Sequence, residues 1–449
     1  MSRRSALAFV LLLGGLLVLR ALFGDVDQLI VVWPALGVAA GAIARHARRA
    51  WLALVAGFIY YPAIVGLGLA PSLGPWWFLQ GLFAGLVLGL GFALGGTIGP
   101  DRRPWLVARS SWAEAGTRQR AVVLGALALS LAVLGGYVTY AGVVGSETFL
   151  HPDRDPNCTT PAQAYGWTYE AINYDIADDA KLAAANPDPT HCSSQGATAG
   201  NLVRSPDGVP IAGWYIPSAD GSGPTGPTVI LVHGWHGNKS GMLPYAKPLH
   251  DRFNLVLIDL RDDGRSGVAD VTMGLREQTD LEAMIDWLVA TKQPSWIGAV
   301  GNSMGGATVL AAAAHDQRIR AVILESTHAT LIASGGNIAE NEHGYPAQPT
   351  GWAIITFTSW RIGADVTSID PVRTIGELGN RPVLLIHGTA DRVDYPATSA
   401  ELNFRAALAA GVPAELEYCQ DGTHGSSVTA CPDQWSRWAN DFFGAAAGI

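Results

Sequence analysis

Residues 299–306 read Ala-Val-Gly-Asn-Ser-Met-Gly-Gly, and this stretch decides how the rest of the chain is interpreted. It follows a short apolar run and leads into an alanine-rich segment that favours a helix. A strand, a Gly-x-Ser-x-Gly turn and a helix together raise a serine hydroxyl clear of a sheet. Gly301 and Gly305 are needed because a side chain two residues from Ser303 would collide with the neighbouring strand or helix. The pattern predicts a nucleophilic Ser303, although a chain with 53 glycines also produces such patterns by chance.

The chain after residue 226 alternates between two kinds of pattern. Apolar, β-rich runs lie at 228–232, 255–260, 296–300, 321–324 and 383–386, and helical patterns between them include 280–290 and 308–314. Strands that are apolar on both faces indicate a mostly parallel sheet with helices on both sides. The fold class is therefore α/β, and we expect a site at the carboxyl ends of the strands. Before these runs, residues 165–172 predict a first strand, and residues 207–217 predict a turn followed by an edge strand.

A glycine turn directly after the first of these runs could bind an oxyanion. Residues 232–239 read Val-His-Gly-Trp-His-Gly-Asn-Lys. The backbone N–H of Trp235 could point at a developing oxyanion, and the N–H of Met304, next to the serine, would be the second donor. His233 and His236 could instead be metal ligands, but no third ligand lies near them in sequence. We predict neither a metal nor an organic cofactor.

An acid and a base follow later in the chain. Asp391 comes soon after the run 383–386 and could orient a histidine, with Asp394 as the alternative acid. His424 follows the strand-like residues 414–418 and is the only histidine after Asp391. The order Ser303, Asp391, His424 is the chain order of one class of serine hydrolases.

These residues together resemble α/β-hydrolases of the Bem46-like and serine-aminopeptidase-like branch, which is close to prolyl-oligopeptidase-type catalytic domains. The resemblance runs from about residue 165 to 443. It rests on the stretches 207–217, 233–239, 259–266, 301–306, 387–391 and 422–424.

The resemblance implies an α/β-hydrolase fold for residues 165–449 and acyl transfer to Ser303. His424 would take the serine proton and return it to the leaving group, and Asp391 would fix the histidine tautomer. Two features depart from the family pattern. Asp262-Asp263 stands where a single glycine often follows the arginine, and the N-terminal region of about five spans is extra.

The resemblance says little about the substrate. We favour a carboxylic ester or thioester, with a small-molecule or lipid-like acyl group. A serine peptidase of the same fold and an acyltransferase to a cell-envelope acceptor remain open. A non-catalytic sensor is the third alternative, and the complete set of triad residues argues against it.

Residues 327–370 lie between the run 321–324 and the acid-bearing strand, where lids occur in this fold. They combine a polar part, 337–343, with an apolar part that contains Trp352, Ile354, Ile355, Phe357 and Trp360. The apolar part could be an ordinary core helix or the wall of an acyl pocket, and the sequence leaves both open.

The first 145 residues predict an all-α bundle of about five transmembrane helices. Apolar stretches long enough to cross a bilayer occur at 52–70, 76–99 and 121–144, and two less certain ones at 5–24 and 29–44. Arginines are confined to alternate loops, which places the N-terminus in the cytoplasm. We therefore expect residues 1–145 to anchor the protein in the cell membrane, residues 146–164 to form a connector, and the hydrolase domain to be extracytoplasmic.

Charge and cysteines agree with this placement. The net charge of −9, with no basic cluster beyond residue 120, argues against nucleic acid as a partner. The oligomeric state is left open. The four cysteines all lie in the part predicted to be outside, which favours two disulfides of undetermined pairing over four free thiols; they are Cys158, Cys192, Cys419 and Cys431.

Overall fold

The computed structural model describes residues 117–172 and 202–449. This part of the chain divides into two compact units, one of residues 117–143 with 335–354 and the other of residues 144–334 with 355–449. The second unit holds the sheet and every predicted catalytic residue.

An eight-stranded sheet forms the centre of the second unit. Its spatial order is β1-β4-β6-β5-β7-β8-β9-β10, and β2 and β3 form a separate antiparallel pair. Strand β4 is antiparallel to both its neighbours, β1 and β6, and the six strands β5 to β10 pair in parallel. The strands are β1 (Glu170–Ile172), β2 (Val203–Arg204), β3 (Pro210–Ile211), β4 (Gly213–Ile216), β5 (Thr228–Val232), β6 (Asn254–Ile258), β7 (Ile297–Asn302), β8 (Ile319–Glu325), β9 (Val383–Gly388) and β10 (Ala414–Cys419).

Helices connect the strands of the sheet. The long ones after β6 begin close to where the sequence predicts them, and short 3₁₀ turns link several of the others. The helices are α1 (Thr117–Leu150), α2 (Pro161–Tyr165), α3 (Leu243–Ala246), α4 (Glu277–Thr291), α5 (Met304–His315), α6 (Leu331–Asn341), α7 (Ala347–Ile362), α8 (Pro371–Thr374), α9 (Ala400–Ala409), α10 (Ser427–Ala430) and α11 (Pro432–Ala447).

The predicted α/β class with a mostly parallel sheet is confirmed. Every residue of β5, β6 and β9 is buried, as expected for central parallel strands covered on both faces. Their branched and aliphatic side chains join one core with the aromatic residues of α11, where Trp435 and Phe443 are fully buried.

The start of the domain differs from the expectation of a strand over residues 165–172. Thr160 and Gln163 form a capping box that starts α2, and Gly166 ends it in the left-handed conformation at φ 71°. Only Glu170–Ile172 pairs as a strand, at the sheet edge. The prediction failed because a local capping signal outweighed the β propensity of the aromatic residues.

The strand at residues 213–216 is also not at the sheet edge, contrary to the prediction for residues 207–217. Strand β4 lies between β1 and β6, and Trp214 is opposite Ala171 on one side and Leu257 on the other. The short β1 therefore takes the edge position. A pairing between strands so far apart in the chain leaves no local sequence signal.

Four of the five predicted membrane spans, at 5–24, 29–44, 52–70 and 76–99, lie outside the described residues. The fifth, 121–144, falls within α1. Within residues 117–172 and 202–449, no helix has the length and apolar character that crossing a membrane requires.

A disulfide joins Cys419, the last residue of β10, to Cys431, which directly precedes α11. Cys158 is also disulfide-bonded, and Cys192 lies outside the described residues. The bridge between Cys419 and Cys431 closes the loop that contains His424. This pairing could not be read from the sequence, which left the connectivity of four cysteines open.

We predict that replacing both Cys419 and Cys431 by serine lowers the free energy of unfolding by about 3 kcal/mol, the chain-entropy value for a loop of about a dozen residues. Urea unfolding measures the change. As a matched control, Ala430→Ser places a serine beside the bridge at an exposed position, and it should alter the unfolding free energy by less than about 0.5 kcal/mol. An unchanged unfolding midpoint in the double variant would contradict the prediction.

Candidate active site

The Ser303 turn joins β7 to α5 in a conformation that few residues adopt. Ser303 has φ 51° and ψ −117°, outside the common regions for a residue with a side chain. A Cβ on Gly301 would lie 2.3 Å from the carbonyl oxygen of Gly305, and a Cβ on Gly305 would lie 2.3 Å from that of Val232. Both glycines are therefore required, for the steric reason that the sequence suggested.

The structure brings Ser303, His424 and Asp391 together. The Ser303 hydroxyl lies 2.9 Å from His424 Nε2, and His424 Nδ1 lies 2.9 Å from Asp391 Oδ2. The three residues come from the end of β7, the loop after β10 and the loop after β9. All three loops lie at the carboxyl ends of parallel strands, which is where sites form in such sheets.

The Asp391 carboxylate is surrounded by hydrogen-bond donors. Besides His424, it accepts the backbone N–H groups of Val393 and Asp394, both at 2.9 Å, and the His387 Nε2 nitrogen lies at 3.2 Å. Burial alone would raise the pKa of Asp391, but hydrogen bonds from His387 and His424 outweigh it and hold the pKa well below its usual value. Asp391 is therefore ionised and ready to orient His424.

Asp394 lies nearby but has a different environment. Its Oδ2 is 4.0 Å from His424 Nδ1, beyond hydrogen-bond distance. Within the described part of the chain neither of its carboxyl oxygens has a hydrogen-bond partner of normal geometry, although the Ser334 hydroxyl is close enough to lower its pKa slightly. Burial raises the pKa of Asp394 to about 6. Of the two acids proposed from the sequence, only Asp391 hydrogen-bonds the histidine.

His424 is the part of this cluster that solvent reaches, with a side chain that is 25% exposed. Burial tends to lower its pKa, but the hydrogen bond to Asp391 and the charges of Asp394, Asp391 and Glu325 raise it above the usual value. The ring is therefore a stronger base than a free histidine, and becomes neutral only at a correspondingly higher pH.

The loop after β5 lies directly against the serine. A Cβ on Gly234 would be 3.1 Å from Ser303 Cβ, so the absence of a side chain at residue 234 lets this loop lie close to the serine. Met304 begins α5, and the first N–H groups of a helix have no partner within the helix. The two proposed oxyanion donors thus lie in segments on either side of Ser303.

Buried polar contacts fix this loop in place. The His233 ring accepts the Leu260 N–H at Nε2, over 3.0 Å, and donates from Nδ1 to the Gly234 carbonyl at 2.7 Å. Lys239 forms a buried ion pair with Asp259. Among the described residues there is no group of three or more side chains arranged to hold a metal ion. His233 is therefore occupied as a structural residue.

The connector, residues 146–164, which begins in the last turn of α1, also contacts this loop, which the sequence did not suggest. The Phe149 and Trp235 rings pack with centroids 5.7 Å apart. Three side chains of the loop bond to connector carbonyls: the Trp235 indole to Phe149 at 3.2 Å, the His236 ring to Asp153 at 2.7 Å, and the Asn238 amide to Asp155 at 3.1 Å and Asn157 at 2.8 Å.

The connector also contacts the turn at Asp262-Asp263, where the sequence departs from the family pattern. Asp262 adopts the left-handed conformation that glycine favours, with φ 61°. Arg154 of the connector binds the Asp262 carboxylate at 3.0 Å and the carbonyls of Gly264 and Ser266 at 3.0 and 3.1 Å. Burial holds the pKa of Asp263 well above its usual value. An arginine from the connector thus binds the side chain and the backbone of this turn.

The predicted lid region, 327–370, lies between β8 and β9 and contains α6 and α7. Ala353, Ile355 and Thr358 of α7 are buried, whereas Trp352 is 48% and Trp360 77% exposed. One face of α7 is therefore ordinary core, and the other presents large aromatic side chains to solvent.

Sequence comparisons agree with this architecture. A profile of the α/β-hydrolase fold matches residues 227–353. YfhR of Escherichia coli O157:H7 is 31% identical over 227 residues, which cover 50% of this chain and 70% of YfhR. The chain belongs to the α/β-hydrolase family. The narrower branch named from the motifs remains a prediction.

Two further similarities, one to a curated protein and one to a solved structure, have lower sequence identity. Rv2307c of Mycobacterium tuberculosis (strain ATCC 25618 / H37Rv) is 28% identical over 221 residues, covering 49% of this chain and 70% of that protein. The solved structure of the esterase Pf2001 of Pyrococcus furiosus has a TM-score of 0.49 and 19% identity, covering 66% of this chain and 98% of the esterase.

The two acids of this α/β-hydrolase should respond differently to substitution. We expect Asp391→Asn to lower kcat by about 10⁴-fold, because the histidine loses its tautomer-fixing partner. The pKa of His424 should also fall, since its hydrogen bond to Asp391 makes the largest contribution that raises it. Asp394→Asn is the matched control and should change kcat by less than about threefold, as it breaks no normal hydrogen bond.

Steady-state hydrolysis of an activated ester, measured from pH 5 to 9, gives both kcat and the pKa of His424. A larger loss of kcat in the Asp394 variant than in the Asp391 variant would overturn the assignment of the acid.

Proposed function

We propose that this α/β-hydrolase is a serine hydrolase that cleaves carboxylic ester or thioester bonds through an acyl-enzyme. The observation that carries the proposal is the continuous hydrogen-bonded series from Ser303 through His424 to an ionised Asp391, with both distances at 2.9 Å. A strained serine beside an accessible histidine has the geometry of an activated nucleophile.

Each group has a defined step in the proposed reaction. His424 Nε2 removes the Ser303 proton while Oγ attacks the substrate carbonyl carbon, and Asp391 stabilises the resulting imidazolium. The N–H groups of Trp235 and Met304 bind the oxyanion. His424 then protonates the departing alcohol or thiol, and a water molecule activated by His424 releases the acid.

The surroundings of the serine support a small-molecule or lipid-like acyl substrate. Trp235 follows Gly234, which lies against Ser303, and its ring packs on that of Phe149, so the loop next to Ser303 carries an aromatic pair. Acyl chains bind to such apolar surfaces through the hydrophobic effect.

Labelling with a fluorophosphonate probe tests the nucleophile. We expect Ser303→Ala to abolish labelling and to lower kcat by about 10⁴–10⁶-fold, and His424→Ala to do about as much. Ser368→Ala, at an exposed serine between α7 and α8, should label like the wild type. Labelling that persists in Ser303→Ala would refute the proposal. A chain-length series of p-nitrophenyl esters, set beside peptide amides, then separates an esterase from a peptidase.

We also propose that the N-terminal region anchors the protein in the cell membrane with the hydrolase domain outside. The support is the alternation of arginine-rich loops with apolar stretches in residues 1–145 and the use of cysteines as disulfides beyond them. These two observations come from separate parts of the chain.

Reporter fusions test the topology. An alkaline phosphatase that is active only after export should be active when fused after Val144 and inactive when fused after Arg109. Equal expression of both fusions is the control. The reverse pattern would refute the five-span arrangement.

A further inference from the structure

Glu325, the last residue of β8, lies behind the catalytic residues in a completely buried position. Its Oε1 accepts the Tyr245 hydroxyl at 3.0 Å and the Ser427 backbone N–H at 2.9 Å. Its Oε2 accepts the Trp435 indole N–H at 2.9 Å. Two N–H donors therefore converge on one carboxyl group, together with the Tyr245 hydroxyl, which shares its single proton with the Gly425 carbonyl at 2.8 Å. Burial raises the pKa of Glu325 above its usual value, and the hydrogen bonds from Trp435, Tyr245 and Ser427 oppose that rise.

The two N–H donors to Glu325, from Ser427 and Trp435, lie in the segment that carries His424. Ser427 begins α10 directly after the His424 loop, and Trp435 lies in α11 after the disulfide at Cys431. The backbone of Glu325 also binds the nucleophile turn, because its carbonyl accepts the Ser303 N–H at 2.8 Å. One residue thus contacts both the base-carrying loop and the serine.

Tyr245 makes the second connection between these elements. Its hydroxyl accepts the Asn302 side-chain N–H at 3.1 Å, and lies 2.8 Å from the Gly425 carbonyl and 3.0 Å from Glu325. Asn302 precedes the serine and Gly425 follows the histidine. Burial beside Glu325 holds the pKa of Tyr245 well above its usual value, so the hydroxyl keeps the proton that it donates.

We propose that Glu325 is a positioning residue that, with Tyr245, holds the Ser303 turn and the His424 loop in register and keeps a fixed negative charge behind the His424 ring. The inference rests on the proposed function of Ser303 and His424. It deepens that function, because it assigns the geometry of the base to a second carboxylate besides Asp391.

The negative charge of Glu325 acts on His424 together with the charges of neighbouring ionisable groups. The titratable groups that influence His424 are Asp391, Asp394, Glu325 and His328. Burial keeps the pKa of His328 at about 4, so it is neutral at the pH of interest. Glu325 therefore adds to two aspartates in favouring the imidazolium, and no cation among these groups opposes it. Removing the Glu325 charge should make His424 easier to deprotonate.

Glu325→Gln and Glu325→Asp separate charge from shape. Glutamine keeps the size but removes the charge, and we expect the acid limb of the pH–rate profile of fluorophosphonate labelling to move down by at least about 0.5 pH units. Aspartate keeps the charge at a shorter reach, so the midpoint should stay near the wild-type value while labelling slows. A Glu325→Gln profile with the wild-type midpoint would overturn the electrostatic part of the proposal.

Tyr245→Phe tests the positioning part without touching a charge. The ring can keep its edge-to-face contact with Trp435, at 5.4 Å between centroids, while the bridging hydroxyl is lost. We expect kcat to fall about tenfold to a hundredfold with KM changed by less than about threefold, because a misplaced base slows chemistry more than binding. An unchanged kcat would overturn this part.

Tyr215→Phe is the matched control. Tyr215 is also buried, but its hydroxyl has no hydrogen-bond partner in the described chain. The substitution should leave kcat and the pH profile as in the wild type. Thermal unfolding of each full-length variant shows whether a loss of rate reflects loss of fold. The Tyr215 variant shows how far the unfolding temperature changes when a buried hydroxyl away from Ser303 and His424 is removed.

A direct titration keeps this inference separate from the proposed function. The ring signals of His424, assigned with His424→Asn, can be followed by NMR against pH with no substrate present. If wild-type Ser303 is not labelled, the proposed function fails. If labelling occurs but the His424 titration is the same in the wild type and Glu325→Gln, only the present inference fails.

Discussion

The close approach of three backbone segments at Ser303 is the constraint on which the rest of the site depends. The carbonyls of Val232 and Gly305 lie where side chains would otherwise stand, so β5, β7 and α5 meet with no space between them. This contact forces Ser303 into an unfavourable conformation, a strain that only a rigid surround can maintain. The parallel strands on either side provide that surround, and they also bring the loops after β9 and β10 to the same edge.

Three buried carboxyl groups near His424 differ in their hydrogen bonding and in their pKa values. Asp391 accepts hydrogen bonds from His424 and two backbone N–H groups, has His387 at 3.2 Å and stays ionised. Glu325 accepts two N–H groups and faces the Tyr245 hydroxyl, and burial raises its pKa. Asp394 has no partner of normal geometry in the described chain, and burial raises its pKa to about 6. The difference follows from hydrogen bonding rather than from burial, because all three are buried. A histidine in this environment is held in one orientation, and the surrounding carboxylates raise its pKa, so that its neutral form is a stronger proton acceptor than a free imidazole.

The connector does more than join two parts of the chain. Its carbonyls accept hydrogen bonds from three side chains of the loop beside the serine, and Arg154 binds the turn at Asp262. In this family member the loop therefore has an additional support from outside the α/β fold.

The sequence by itself determined the fold class, the positions of the central strands, and the identity of the serine and histidine. These features depend on local patterns: apolar runs, glycines at fixed offsets and the order of motifs along the chain. Tertiary structure alone decided which carboxylate meets His424, which cysteine pairs with Cys419, and that β4 lies inside the sheet. Tertiary structure alone also showed the contacts of Glu325 and Tyr245 with the serine turn and the histidine loop. Each depends on contacts between residues distant in sequence, and such contacts are set by the packing of the whole sheet and its helices, which no local pattern encodes.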